Sequence, residues 1–180
     1  MKKPIIFWIR RDLRIHNNPA LKFAIDSNQP VIPVFIKDEF VDKLGAAPKW
    51  RLGLGLEHLT KNFKKYGIDI IFKTGSAETV LTELINETEA DKVVWGRTYL
   101  PPVNNRDAKI KSLLKEKGLF VKSFPGHLLF EPWTVSPKSS EFFKVYTPFW
   151  KVARIKNPVG FEVKVSTIMG VQQQPKSEKL

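Results

Sequence analysis

Trp8-Ile9-Arg10-Arg11-Asp12-Leu13-Arg14 follows the apolar run Ile5-Ile6-Phe7. Together they read as a buried first strand that leaves the core into three arginines and one carboxylate. In an open parallel sheet, ligands bind outside the carboxyl ends of the strands, so this strand end is the first place to look for a site. The residues behind it set the connection. Asn17-Asn18-Pro19 offers Asn18 as a cap and Pro19 as the first helical residue, and Ala20, Leu21, Phe23 and Ala24 continue as a short helix.

The alternation of strand and helix persists along the chain. Residues 31–36 read as a second strand, apolar throughout and so covered on both faces, although Pro33 is awkward in a central strand. The stretch from Lys49 to Tyr66 reads as a long helix with Leu52, Leu56, Leu59 and Phe63 at helical spacing, stopped at Gly67. Further strands are expected at 68–72, 91–95 and 119–123. Between them lie a helix capped by Ser76 and a helix starting at Asn104 or Asn105 and running through Lys117. This order predicts an α/β fold with a parallel sheet and right-handed crossovers. After Phe124 the pattern breaks, and 127–133 and 142–150 are aromatic and punctuated by proline. The domain is expected to span residues 1–153. Residues 154–180 read as a divergent linker or partly disordered tail, with a short strand at 161–165 and mobility beyond Gly170.

Composition narrows the function classes. The chain has 180 residues and a net charge of +12, which points to a polyanionic partner or to a solvated basic surface. It has no cysteine, which excludes disulfides, thiolate metal sites and cysteine nucleophiles and fits a cytoplasmic location. No run approaches the roughly 20 apolar residues of a membrane span. No Gly-x-Gly-x-x-Gly follows a strand. Gly53-Leu54-Gly55 falls inside the long helix and reads as a packing feature. His16, His58 and His127 show no metal spacing, and His58, in mid-helix, reads as a surface or core residue rather than a ligand.

The candidate chemistry therefore gathers at strand ends. Strand one delivers Arg10, Arg11, Asp12 and Arg14, and strand two delivers Lys37, Asp38 and Glu39. Strand four delivers Gly96, Arg97, Thr98 and Tyr99. If strands one and four are neighbours, the topological switch point lies between them. Such a set could bind an extended polar, anionic or heteroaromatic ligand, or Arg11 and Asp12 could simply pair to fix the loop. A second cluster, Pro48-Lys49-Trp50-Arg51, opens the long helix. Its amides favour an anion, and Trp50 either stacks on a planar ring or caps the core.

These residues carry a resemblance. Phe7 to Arg14 followed by Asn17-Asn18-Pro19-Ala20-Leu21 resembles the opening of the DNA photolyase/cryptochrome family. The strand-two Pro-Val-Phe-Ile, the helix bearing Arg51, the Gly75 turn, Asp107 and Lys144-Val145-Tyr146-Thr147-Pro148-Phe149-Trp150 follow in the family's order. The resemblance covers residues 4–153. It implies a Rossmann-like, doubly wound, five-stranded parallel sheet with helices on both faces, a domain that holds a light-harvesting antenna chromophore. The cofactor residues it suggests are Arg10, Arg11, Asp12, Phe35, Lys49, Trp50, Arg51, Arg97 and Tyr99.

An 8-hydroxy-deazaflavin or FMN is the implied antenna. Folate is disfavoured, because Pro102 and Val103 stand where folate-binding members carry Asn-Glu. FAD, the electron-transfer tryptophans and the pyrimidine-dimer site belong to a helical C-terminal domain, and full-length members run to well over twice this length. The chain thus reads as an antenna domain without catalysis of its own, partnered in cis or in trans by that FAD domain and reaching DNA through it. The face around Phe142, Phe143, Tyr146, Phe149 and Trp150 would be the interface or a homo-oligomer contact. The alternative is a nucleotide-binding signalling or scaffold domain that has lost the chromophore.

Overall fold

The computed structural model describes residues 2–126, 128–137, 142–156 and 165–179. In chain order the elements are β1 (Ile5–Ile9), α1 (Pro19–Asp26), β2 (Val31–Lys37), α2 (Glu39–Asp42), α3 (Ala46–Lys64), β3 (Ile71–Thr74) and α4 (Ala77–Thr88). They continue with β4 (Lys92–Gly96), α5 (Pro101–Glu116), β5 (Phe120–Phe124), a 3-10 turn (Pro132–Thr134) and α6 (Tyr146–Ala153). The strands form one parallel sheet in the order β3-β2-β1-β4-β5. Strands one and four are neighbours, so the switch point lies between them.

The pleat divides β1 between two cores, since successive side chains point to opposite faces. Ile5, Phe7 and Ile9 pack with Ala20, Leu21 and Ala24 of α1 and with Leu56, Leu59 and Phe63 of α3. Ile6 and Trp8 pack on the other face with Val80, Leu81 and Leu84 of α4 and Ile110 and Leu114 of α5. Trp8 and Trp95, each 1% exposed, meet edge to face with centroids 5.4 Å apart. All five residues of β1 are buried, so its polar continuation is delivered from the centre of the molecule.

Local chemistry sets the element ends. Asn18 caps α1 through its side-chain oxygen, which accepts from Leu21 N at 3.1 Å. The α5 helix starts at Pro101, three residues before the expected Asn104, because Pro101 and Pro102 supply preset φ at positions whose N–H would be unbonded anyway. The α3 helix likewise starts at Ala46 rather than Lys49, β3 starts at Ile71 rather than 68, and the aromatic 146–153 stretch is helical. Pro33 is accommodated at the sheet edge. Val31 N donates to Met169 O, so Pro33, two residues on, faces the same side, and β3 pairs with β2 only from Val34 onward.

That bond belongs to a longer seam. Residues 165–179 form no helix or strand but run along the open edge of β3 instead of projecting as a tail. Val165 and Ile168 join the core, Tyr66 Oη donates to Val165 O at 3.1 Å, and Phe72 N donates to Ser177 Oγ at 3.0 Å. Glu178 N donates to Phe72 O at 2.9 Å, and Thr74 N donates to Glu178 Oε2 at 2.9 Å. An uncovered strand edge is a template for unwanted pairing, and this segment occupies it. His127 and residues 161–164 of the expected last strand lie outside the described residues.

Candidate functional site

The carboxyl ends of β1 and β2, the first turns of α3 and the loop after β4 enclose a cleft of about 1100 Å³. It is large even against the roughly 300–1,000 Å³ of small-molecule pockets. Phe35, Val41, Leu44, Leu52 and Val103 give it apolar walls, and Arg11, Arg51, His58 and Tyr99 bring polar groups to it.

Beneath the cleft sits a charge network between elements far apart in sequence. Arg10 Nη1 donates to Asp107 Oδ2 at 2.8 Å, with both side chains almost fully buried. Arg106 donates to Asp107 Oδ1 through Nε at 3.1 Å and Nη2 at 2.8 Å, and its Nη1 donates to Asp38. Asp38 Oδ1 also caps α2 by accepting from Phe40 N and Val41 N, both at 3.0 Å. Two cations thus face two carboxylates. The Arg10 guanidinium lies 4.0 Å from the Trp8 ring centroid. Burial, helped by the like charge of Arg106, pulls the Arg10 pKa below the ordinary guanidinium value, although Asp107 opposes this. For Arg106, burial also pulls downward, but the bonds to Asp38 and Asp107 outweigh it and leave the pKa raised. Charge held this tightly fixes the cleft floor rather than serving as a mobile acid or base.

The rest of the opening stretch divides its work. Asp12 is buried against Gly96, where an added Cβ would fall 2.4 Å from Asp12 Oδ2. Glycine at the end of β4 therefore lets the carboxylate lie across the switch point. Arg14 also borders the cleft and is exposed, with Nε donating to Asn17 O at 3.2 Å and Nη2 to Gly126 O at 2.5 Å. Arg11 is exposed at the cleft. The buried ion pair of this loop is made by Arg10 with Asp107.

Of the expected cofactor residues, Arg10, Arg11, Asp12, Phe35, Arg51 and Tyr99 line the cleft. Lys49 and Trp50 do not, since both lie on the solvent side of α3, Trp50 being 68% exposed. Arg97 lies beside the cleft, where Nη1 pairs with Glu131 Oε2 at 2.8 Å. Tyr99 Oη donates to Glu131 Oε1 at 2.8 Å. Burial first, then the bond to Glu131 and its charge, push the Tyr99 pKa up to about 12. Sequence reading placed Asp38 at the end of strand two but missed Arg106, whose link to Asp38 spans 68 residues, and it set aside His58, which lines the cleft. Its only cue was position: His58 lies one helical turn beyond Leu54, and two beyond Arg51, on a face that also carries Gly55.

The family model for DNA photolyase matches residues 5–164. The chain belongs to the DNA photolyase family. It is 39% identical to a deoxyribodipyrimidine photo-lyase of Agrobacterium fabrum over 98% of this chain and 37% of that one. It is 37% identical to cryptochrome-2 of Arabidopsis thaliana over 84% of this chain and 25% of that one. A class III photolyase from Agrobacterium tumefaciens superposes with a TM-score of 0.93 at 37% identity, covering 99% of this chain and 37% of that one. A Sulfolobus tokodaii photolyase, solved with two FAD molecules and described as implying a novel light-harvesting cofactor, superposes with a TM-score of 0.66 at 28% identity. It covers 93% of this chain and 37% of that one. The chain thus spans about a quarter to somewhat over a third of the length of these photolyases and cryptochromes. Among the described residues no helix is long and apolar enough to cross a membrane, and no group of three His, Cys, Asp or Glu could hold a metal ion.

Proposed function

We propose that this chain is the antenna chromophore-binding domain of a photolyase or cryptochrome-type protein. The observation that carries the proposal is the cleft of about 1100 Å³ at the β1–β4 switch point, with apolar walls and a cationic rim. An antenna needs a planar conjugated ring held at fixed distance and orientation from an acceptor. The protein's part is binding, orientation and exclusion of water. Phe35, Leu52 and Val103 offer apolar contact to such a ring, and Arg11 and Arg51 offer cations to a phosphate or acidic tail. The Arg10–Asp107–Arg106–Asp38 network keeps the floor from yielding. The ring is a flavin or an 8-hydroxy-deazaflavin rather than a folate, in keeping with the apolar Val103, buried at the cleft wall.

When bound, the ring supplies blue-light absorption. Light-driven repair or signalling would reside in a helical FAD-binding partner domain, in cis or in trans, since the chain spans little over a third of the photolyases it matches. The exposed aromatics Phe142, Tyr146 and Trp150 are the surface on which such a domain would dock, and DNA would be reached through it. Titrating the purified chain with FMN, 8-hydroxy-deazaflavin and methenyl-tetrahydrofolate, followed by ring absorbance and fluorescence, tests the reading. A flavin-type ring should bind and Arg51→Ala should weaken it with an unchanged melting temperature. Binding of folate alone would overturn the ring assignment. Binding of no ring by the folded chain, with ATP or AMP bound instead, would favour a nucleotide-binding scaffold.

A further inference from the structure

A second recess opens between the ends of β4 and β5 and α5. It holds about 130 Å³ and is lined by residues including Trp95, Arg97, Thr98, Asn104, Asp107 and Lys111, and among the described residues Thr98 alone borders both cavities. Trp95 is buried. The two carboxylates nearby are already engaged. Asp107 holds Arg10 and Arg106, and Glu131 holds Arg97 and Tyr99. Among the described residues Lys111 makes no such ion pair. The charges that reach it are Lys115, Arg97 and Lys122, all cationic, and with burial as the largest cause they lower its pKa. A half-buried ammonium among like charges, beside a vacant volume, is stabilised by an anion of tetrahedral size.

The recess adjoins an aromatic platform. Trp133, in the 3-10 turn, is 63% exposed, and the Arg97 guanidinium lies 5.1 Å from its ring centroid. One arginine thus bridges an exposed indole and the cationic recess. A flat ring for stacking next to a pocket for a phosphate is the pairing that proteins use for nucleotides and single strands.

We propose that Trp133, Arg97 and Lys111 form a nucleotide-binding site separate from the chromophore cleft, with the phosphate in the recess and the base on the Trp133 indole. The ligand chemistry is a nucleotide unit, supplied either by a free mononucleotide or by a single-stranded nucleic acid. The site does not depend on the antenna reading, and its test leaves the cleft untouched.

The test is fluorescence anisotropy of the intact chain with a labelled short oligothymidylate, and competition by dTMP. Lys111→Gln and Trp133→Ala should each weaken binding about tenfold, while Trp133→Phe, which keeps a ring, stays near wild type. Lys65→Gln, on the far end of α3, should change it by no more than about twofold. If dTMP competes at concentrations close to those of the oligomer, the source is a free nucleotide. If affinity rises steeply with oligomer length, it is a strand. No binding of either probe, insensitivity to both variants, or equal weakening by Lys65→Gln would overturn the proposal, the last by showing that the +12 net charge acts without a site. Circular dichroism melts of each variant separate lost binding from lost folding.

Discussion

Replacing Asp107 with alanine removes the carboxylate that joins α5 to the end of β1. Three bonds disappear: Arg10 Nη1 at 2.8 Å, Arg106 Nε at 3.1 Å and Arg106 Nη2 at 2.8 Å. The two cations are left in different positions. Arg106 keeps Asp38 and, at 3.7 Å, Glu39. Arg10, 11% exposed, keeps the face of Trp8 at 4.0 Å and the longer-range attraction of Asp38. Removing one partner of a buried pair costs about 3–5 kcal/mol, because the other charge stays behind, and the contact with Trp8 offsets about 1 kcal/mol of that. The expected loss is therefore about 3 kcal/mol, or about 6–12 °C in Tm for a domain of this size.

Urea denaturation reads this directly, as a fall in the midpoint at constant slope. The mechanism has a sharper signature than the size of the loss. If the cost arises from a stranded Arg10, then Arg10→Met should cost less in the Asp107→Ala background than in the wild type. The double-mutant cycle should show coupling of about 1–3 kcal/mol. Additive costs, or an Asp107→Ala loss under about 1 kcal/mol, would refute the reasoning, since either result is what a solvent-screened pair gives.

Four other outcomes each rest on a single feature. Gly53→Ala, with open space around the new Cβ, should stabilise α3 by about 0.5–1 kcal/mol. Gly55→Ala puts a Cβ 2.5 Å from Leu13 Cδ1 and should displace that cleft-lining side chain, weakening ring binding more than stability in parallel titration and urea melts. Truncation after residue 164 removes Ser177 and Glu178 from the β3 edge, and light scattering should show self-association that the full chain lacks. For Tyr99, whose pKa is raised to about 12, the folded state holds a proton that the unfolded state gives up near pH 10. The tyrosine's contribution is thus intact below pH 10 and is lost as pH climbs toward 12. Ultraviolet titration should show one tyrosinate step near pH 12 that Tyr99→Phe abolishes.

What was legible in the sequence is what local chemistry decides. Asn18 and Pro19 set the start of α1, and the unbroken apolar strands announce a sheet covered on both faces. The order β3-β2-β1-β4-β5 follows once β1 and β4 are placed together. The α3 and α5 helices start three residues before the expected positions, at Ala46 and Pro101, because small residues and proline form their first turns. The seam of residues 165–179 along β3 was illegible for another reason. Its bonds are made by isolated groups, Ser177 Oγ and the Glu178 carboxylate among them, with no period to detect. The network under the cleft was hidden by distance, since Arg10 and Asp107 lie 97 residues apart.

The three arginines of the opening stretch show why a motif alone could not assign the site. Their chemistry is identical and their sequence neighbourhood is shared, yet Arg10 is committed to Asp107, Arg14 at the cleft border donates to the backbone of Asn17 and Gly126, and Arg11 stands exposed at the cleft. A buried arginine that already holds a carboxylate cannot also neutralise a ligand phosphate without surrendering that bond, whereas an exposed one can do so at little cost in stability. The same argument separates Arg97, paired with Glu131, from Lys111, whose pKa is lowered by burial and by the like charges of Lys115, Arg97 and Lys122. A ligand anion should therefore be sensed most strongly by Arg11 and Arg51 in the cleft and by Lys111 in the recess. Arg10, Arg97 and Arg106 set the shape into which it fits.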